Sequence, residues 1–267
     1  LAERAGQSVN GRAVAPRTAI AGVSGYAGGE LARLLLRHPK FNGTKPTFLG
    51  RGGEAEARPS TFLEDLHPQL ATPGDRRANE VFPFTWERIV NSGIEVLFLA
   101  TPHEQSREWV PEAIDRGIKV IDLSGAWRLK DDANRAIYRL KDANPRHASE
   151  LQAKAVYGCP ELQRAEIRQA HLVANPGCYA TSIILALAPL LQAGLVDVQH
   201  GIICDAKSGV SGAGKAATPT THFMHAADNL SAYAVFGHRH TGEMLEQLHL
   251  QSDQIQFTPH LLPIPRG

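Results

Sequence analysis

Short, wholly apolar runs alternate along this chain with longer segments in which apolar residues recur at helical spacing. The run from Thr18 to Val23 predicts a buried strand. Leu31, Leu34 and Leu35 then mark one face of a helix that Pro39 ends. Thr47-Phe48-Leu49 predicts the next strand, and Glu95 to Ala100 a parallel strand covered on both faces. Glu104 to Ile114 reads as a helix with Trp109, Val110, Ala113 and Ile114 turned inward; Gly117 closes it and Lys119 to Leu123 predicts a strand. Val173-Ala174 leads into a helix that begins at Cys178 and continues through the apolar run Ser182 to Leu191. Pro189 bends or shortens that helix, Gly194 closes it, and Gly201 to Ala206 predicts another strand. This β-α-β rhythm predicts an α/β fold on a parallel sheet.

The turn after the first strand carries Gly22, Ser24, Gly25, Tyr26, Ala27 and Gly28, a G-x-x-G-x-x-G pattern inside a β-α-β unit. The first glycine makes the turn, the second lets backbone approach a pyrophosphate, and the third lets helix pack on strand, with the helix N-terminus facing the anion. A ligand-free strand-to-helix turn is the alternative. After the second strand stands Gly50-Arg51-Gly52-Gly53, with no acidic residue to hold a ribose hydroxyl. Arg51 there suits a 2′-phosphate, favouring NADP over NAD, or is a solvated loop residue. Ligands of open α/β sheets sit beyond the carboxyl ends of strands, so Thr101, Pro102, His103 and Ser124 are expected near the cofactor. His103 reads equally as a loop histidine.

Asn175-Pro176-Gly177-Cys178 places a thiol at a helix start. Pro176 keeps Asn175 extended and Gly177 permits a sharp reversal. Unpaired N–H groups and the positive end of the helix dipole favour thiolate, the reactive form, which makes Cys178 the candidate nucleophile. A buried structural cysteine is the alternative. Cys159 precedes a proline in a turn and Cys204 falls within a strand, so both are weaker candidates.

Alternation puts His238 and His240 on one face of an extended segment with Arg239 on the other. His238 is the first choice of base for Cys178 and His240 the second, because imidazole titrates near neutrality. No third ligand completes a metal site with these histidines or with His222 and His225. Gly209 to Lys215 matches a P-loop as far as its lysine, but Ala216 stands where magnesium needs a hydroxyl. The preferred reading is a flexible loop whose N–H groups, with Lys207, Ser208, Gly209, Ser211, Gly212 and Lys215, form a nest for an anionic substrate.

Composition narrows the partners. The 267 residues balance Lys+Arg 28 against Asp+Glu 27, with no basic stripe for nucleic acid. Residues 1–16 are polar and read as a disordered leader without a signal peptide's apolar core, and no apolar run has the length of a membrane span. Three cysteines without a CxxC pair argue against a disulfide scaffold. A cytoplasmic chain acting on small molecules is expected.

Taken together, these motifs resemble the N-acetyl-gamma-glutamyl-phosphate reductase family of arginine biosynthesis. The resemblance rests on Gly25 to Gly28, Asp122-Leu123-Ser124 with Trp127-Arg128-Leu129, Val156-Tyr157-Gly158 with Pro160-Glu161-Leu162, Asn175 to Tyr179, Asp205 to Lys215, His238-Arg239-His240 and Pro259-His260-Leu261. It implies a Rossmann-type NADP-binding domain over residues 17–175 and an α/β catalytic and oligomerisation domain of the aspartate-semialdehyde dehydrogenase type over residues 176–267. It further implies NADP as cofactor, a cysteine nucleophile with a histidine base, and a homo-oligomer, tetramer or dimer. The expected mechanism forms a Cys178 thioester, with phosphate held by the Gly209 to Lys215 loop, Arg239 and His240. Cys159 and Gly242 depart from the family's usual aliphatic residue and proline, away from the proposed chemistry. Family members continue beyond Gly267, so a truncated chain is expected. A sister reductase acting on a carrier-linked aminoadipyl phosphate of lysine synthesis shares the same motifs.

Overall fold

The computed structural model of the chain describes residues 8–9, 12–13, 15–41, 44–50, 60–71 and 77–266. Its contacts divide it into two compact units, one of Leu1–Thr101 with Glu112–Ile121, the other of Pro102–Pro111 with Asp122–Gly267.

The first unit opens on a short antiparallel pair, β1 (Ser8–Val9) and β2 (Arg12–Ala13). A disordered leader was expected over residues 1–16, most of which lie outside the described residues. Next come β3 (Thr18–Ala21), α1 (Tyr26–Leu36), β4 (Thr47–Gly50), β5 (Thr61–Phe62), α2 (Leu63–Leu66), β6 (Glu80–Pro83), α3 (Trp86–Asn91), β7 (Val96–Leu99) and β8 (Lys119–Asp122). The strands lie in the order β5-β6-β4-β3-β7-β8. β3 pairs in parallel with both β4 and β7, β4 in parallel with β6, and β5 antiparallel to β6. Ile20, Val23, Ala32, Phe48 and Leu63 form a buried cluster beneath α1. Arg51, expected to choose the dinucleotide, lies outside the described residues.

The helix predicted for Glu104 to Ile114 is α4 (His103–Asp115), and it contains Pro111, next to the point at which the chain passes from one unit to the other. The second unit continues with α5 (Asp132–Arg135), α6 (Pro145–Lys154), β9 (Val156–Tyr157), α7 (Pro160–Gln169), β10 (Leu172–Ala174) and α8 (Cys178–Gln192). Asn144 caps α6 by accepting from the His147 N–H at 3.1 Å, and Pro145 occupies its first turn. Pro189 does not end α8, which runs three residues further before Gly194 closes it at φ +66°.

The remaining elements are β11 (Ile202–Gly209), α9 (Phe223–Ala226), β12 (Ser231–Ala232), α10 (Thr241–Leu248) and β13 (Ile255–Leu262). They form a three-stranded sheet in the order β11-β13-β12, with β11 and β13 parallel over eight residue pairs. Tyr179, Ala180, Ile183, Ile184, Met244 and Phe257 bury a core shared by α8, α10 and this sheet. No helix among the described residues is long and apolar enough to cross a membrane.

Candidate active site

The glycine turn of the first unit is built as its spacing implied. Gly22 has φ +85°, and a Cβ there would lie 2.3 Å from the Ala100 carbonyl oxygen. A Cβ on Gly28 would meet the Gly22 carbonyl at 2.3 Å, so helix and turn touch backbone to backbone. Gly25 differs: among the described residues the only atom near an added Cβ is the Gly22 oxygen at 3.6 Å, so their packing leaves that space open. Gly25 is also the N-cap of α1, with no side-chain cap and no acidic residue in the first turn. Such an end has N–H groups ready for an anion, and Ser24, Tyr26 and Ala27 are exposed beside it. The sequence reading missed His67, whose Nε2 lies 2.6 Å from the Val23 carbonyl oxygen and whose ring leaves no room for a Cβ on Gly29. Nothing in the local pattern around His67 signals this packing. Thr101 packs against Gly22, and Pro102 is exposed.

In the second unit, Cys178 is the first residue of α8 and is exposed, whereas Cys159 is buried and Cys204 half-buried. Burial raises the thiol pKa of both rivals, at Cys159 with help from Glu161. Gly177, the N-cap, is extended at φ −70° and ψ 152° rather than reversed. Glycine is required there for space, because a Cβ would fall 2.4 Å from Nε2 of His240.

Two buried ionic side chains hold this turn from both sides of Pro176. Arg128 donates from Nε to the Asn175 carbonyl at 2.7 Å, and Glu243 accepts the Gly177 N–H at 3.0 Å. The two pair with each other at 3.0 Å, and Tyr157 donates its hydroxyl to Glu243 at 2.7 Å. Glu243 is wholly buried, so each acceptor site it offers is costly to lose. Burial, followed by the Glu243 charge, pushes the Tyr157 phenol far above its ordinary range, which keeps it a donor. Arg128 is itself held in a packed loop. Arg107 stacks over the Trp127 ring at 3.8 Å, chelates Asp142 at 2.7 and 2.8 Å, and donates to the Ala126 carbonyl.

His238 and His240 are buried and meet edge to face, ring centroids 4.6 Å apart, while Arg239 is exposed. The expected common face is present, but the segment is a turn rather than a strand: Thr241 donates its N–H back to the His238 carbonyl. The His240 N–H donates to Nδ1 of His238 at 3.1 Å. A neutral imidazole carries one proton, so that of His238 sits on Nε2. His240 places Nε2 3.9 Å from Glu243 and leaves Nδ1 buried with no hydrogen-bond partner among the described residues.

Burial, then the charge of Arg239, lowers the His238 pKa from its ordinary 6.5 to about 4, and burial lowers that of His240 further. Both imidazoles are therefore neutral near pH 7. Their folded pKa values lie below the unfolded ones, so the unfolded chain takes up protons first as pH falls. The urea midpoint is expected to drop between pH 6.5 and 4.5, and the drop to be shallower in His238→Asn, as equilibrium unfolding at several pH values would measure.

Of the residues expected near a cofactor, His103 starts α4 and accepts the Gly125 N–H on Nδ1 at 3.0 Å, with Arg239 3.2 Å from its Nε2. Ser124 is turned inward instead. Its hydroxyl donates to buried Asp122 at 2.7 Å and accepts the Ala126 N–H, so it shapes the backbone rather than facing a ligand.

The glycine-rich loop departs from the sequence reading. β11 extends through Ser208 to Gly209, and the N–H groups of Val210 and Ser211 donate to the carbonyls of Ile264 and Pro265. These two backbone donors are therefore not available to an anion. A Cβ on Gly209 would collide with Ile264 and Arg266 backbone, and one on Gly212 would lie 2.9 Å from Ser208 Oγ. A short 3-10 turn, Val210–Ala213, follows in place of the long helix a P-loop needs. Lys215 lies on an exposed bend beyond it.

A two-unit α/β protein with an exposed cysteine at a helix start matches the semialdehyde dehydrogenase class. The NAD binding domain of semialdehyde dehydrogenase matches residues 17–170 and the semialdehyde dehydrogenase dimerisation domain residues 178–267. The solved aspartate semialdehyde dehydrogenase II of Vibrio cholerae superposes with TM-score 0.60 at 17% identity, covering 93% of this chain and 71% of that one, a likeness of fold. The N-acetyl-gamma-glutamyl-phosphate reductase of Bacillus cereus (strain B4264) is 41% identical over 254 residues, 94% of this chain and 69% of the relative. That of Methanosphaera stadtmanae is 42% identical over 253 residues, 93% and 67% respectively. The chain belongs to the N-acetyl-gamma-glutamyl-phosphate reductase family.

Proposed function

We propose that this chain carries out the NADPH-dependent reductive dephosphorylation of N-acetylglutamyl 5-phosphate to N-acetylglutamate 5-semialdehyde in arginine biosynthesis. The observation that carries the reading is the exposed Cys178 at the uncapped start of α8, on a turn pinned by Arg128 and Glu243. Thiolate Cys178 attacks the acyl carbon, the C–O bond to phosphate breaks, and a thioester and free phosphate result. N–H groups at the start of α8 face the developing oxyanion. NADPH, when bound, supplies the hydride that reduces the thioester. The turn Gly22 to Gly28 would hold it, with its open space at Gly25 and uncapped helix end.

Nε2–H of His238 suits the hydrogen-bond donor to the thiohemiacetal oxyanion, which collapses to the aldehyde and expels Cys178 as thiolate, reprotonated by the imidazolium of His240. Nε2 of His240, the ring nitrogen that lies against Gly177, suits the acceptor of the thiol proton. This exchanges the roles expected from sequence, because Nδ1 of His238 is already occupied. The match to a dimerisation domain supports self-association, as dimer or tetramer, and the chain is proposed to act in the cytoplasm.

The test is the reverse reaction with phosphate and NADP. N-acetylglutamate semialdehyde should exceed a carrier-linked aminoadipate semialdehyde in kcat/KM by about 10- to 200-fold, the worth of one methylene in a fitted pocket. Preference for the carrier-linked aldehyde would assign the chain to lysine synthesis, and absence of turnover with either would overturn the reading.

A further inference from the structure

We infer that His103 and Arg239 form the subsite for the phosphate of the acyl substrate, an inference that rests on the proposed reaction. Gly125 N–H points at Nδ1 of His103 at 3.0 Å, and Nη1 of Arg239 stands 3.2 Å from Nε2. A guanidinium only donates, and a neutral imidazole carries one N–H, so one donor in this trio faces another donor.

The backbone decides where the misfit falls. Gly125 sits in a turn fixed by Ser124 on Asp122, under a Tyr138 ring that leaves no space for a Cβ. Tyr138 also packs edge-on against His103, ring centroids 5.0 Å apart. Nδ1 is therefore the acceptor, and the proton is on Nε2. The Nε2–H and the exposed Arg239 guanidinium then converge with no acceptor between them among the described residues, and an anionic oxygen placed there accepts from both. Burial, then Arg239, lowers the His103 pKa, which agrees with a neutral imidazole before the anion arrives.

Phosphate suits the place better than carboxylate. His103 is the first residue of the 13-residue helix α4, whose positive end adds to the Arg239 charge and favours a dianion. Arg239 also lies in sequence between the two imidazoles that serve Cys178, where the leaving group departs. His103 thus moves from the cofactor, where the sequence reading put it, to the substrate, and the phosphate role expected of the Gly209 to Lys215 backbone passes to this pair.

The experiment measures KM for inorganic phosphate in the reverse reaction, with His103→Phe, His103→Gln and Arg239→Gln beside the wild type. Loss of one charge-assisted hydrogen bond should raise KM for phosphate by about 10-fold or more in His103→Phe and in Arg239→Gln. KM for NADP and for the aldehyde should stay within about twofold, and His103→Gln, which restores an N–H donor, should recover most of the loss. Separately, inorganic phosphate alone should shift the His103 ring signal saturably in NMR spectra of the wild-type chain, and much less in Arg239→Gln. A selective rise in KM for NADP would return His103 to the cofactor. A selective rise in KM for the aldehyde would make the site a carboxylate pocket. Either result, or an unmoved phosphate KM with no saturable shift, overturns the subsite. A wild type without turnover whose His103 signal still saturates with phosphate would refute the proposed reaction and leave the anion site standing.

Discussion

Cys178→Ser is expected to reduce turnover by at least about 10³-fold while leaving the fold intact, because a hydroxyl replaces the nucleophile on which the chemistry depends. The side chain is exposed at the start of α8, so an oxygen in place of sulfur disturbs no packing. Thermal midpoint and NADP affinity should match the wild type. Thiolate leaves readily from a thiohemiacetal, whereas serine would need a base strong enough to ionise an alcohol. Steady-state rates with a calorimetric scan of the same preparations check both halves of the expectation.

Glu243→Ala should be the most destabilising single change in the second unit, by about 3 to 5 kcal/mol. It strips the buried Arg128 guanidinium of its ion partner and removes the acceptor for the Gly177 N–H and the Tyr157 hydroxyl. The loss is larger than that of a surface ion pair because no water replaces the carboxylate. Urea unfolding at pH 7 measures it. Arg128→Met combined with Glu243→Leu should recover part of the stability, since an apolar pair leaves no buried charge uncompensated. It should not recover activity, because the Asn175 carbonyl and the Gly177 N–H would remain unheld and the Cys178 turn free to shift.

How much of this was legible depended on whether a feature is local. The Thr18 strand, the glycine turn and the helix beginning at Cys178 are written in consecutive residues, and each formed as its spacing implied. Gly177 shows where that stops. A glycine before a helix reads as a reversal, yet here it is extended and makes room for an imidazole 63 residues further on, which no local pattern encodes. The Arg128 and Glu243 pair is separated by 115 residues, so its hold on the turn was invisible although Arg128 stood inside a quoted motif. In the glycine-rich loop composition suggested free N–H groups, but β13 lies beside β11 and the chain just after it takes those of Val210 and Ser211. β13 itself was missed because Pro259 interrupts its sequence, and a proline argues against the central strand that it proves to be.

The central claim is that an acyl group is carried on Cys178, and intact-mass spectrometry of the chain after acid quench tests it most directly. The chain is mixed with N-acetylglutamate semialdehyde and NADP with phosphate left out, so that nothing releases the acyl group quickly. A burst of NADPH close to one per chain is expected, together with an N-acetylglutamyl adduct that peptide mapping assigns to Cys178, that inorganic phosphate discharges, and that Cys178→Ser lacks. A burst without an adduct, or an adduct on Cys159 or Cys204, would contradict it.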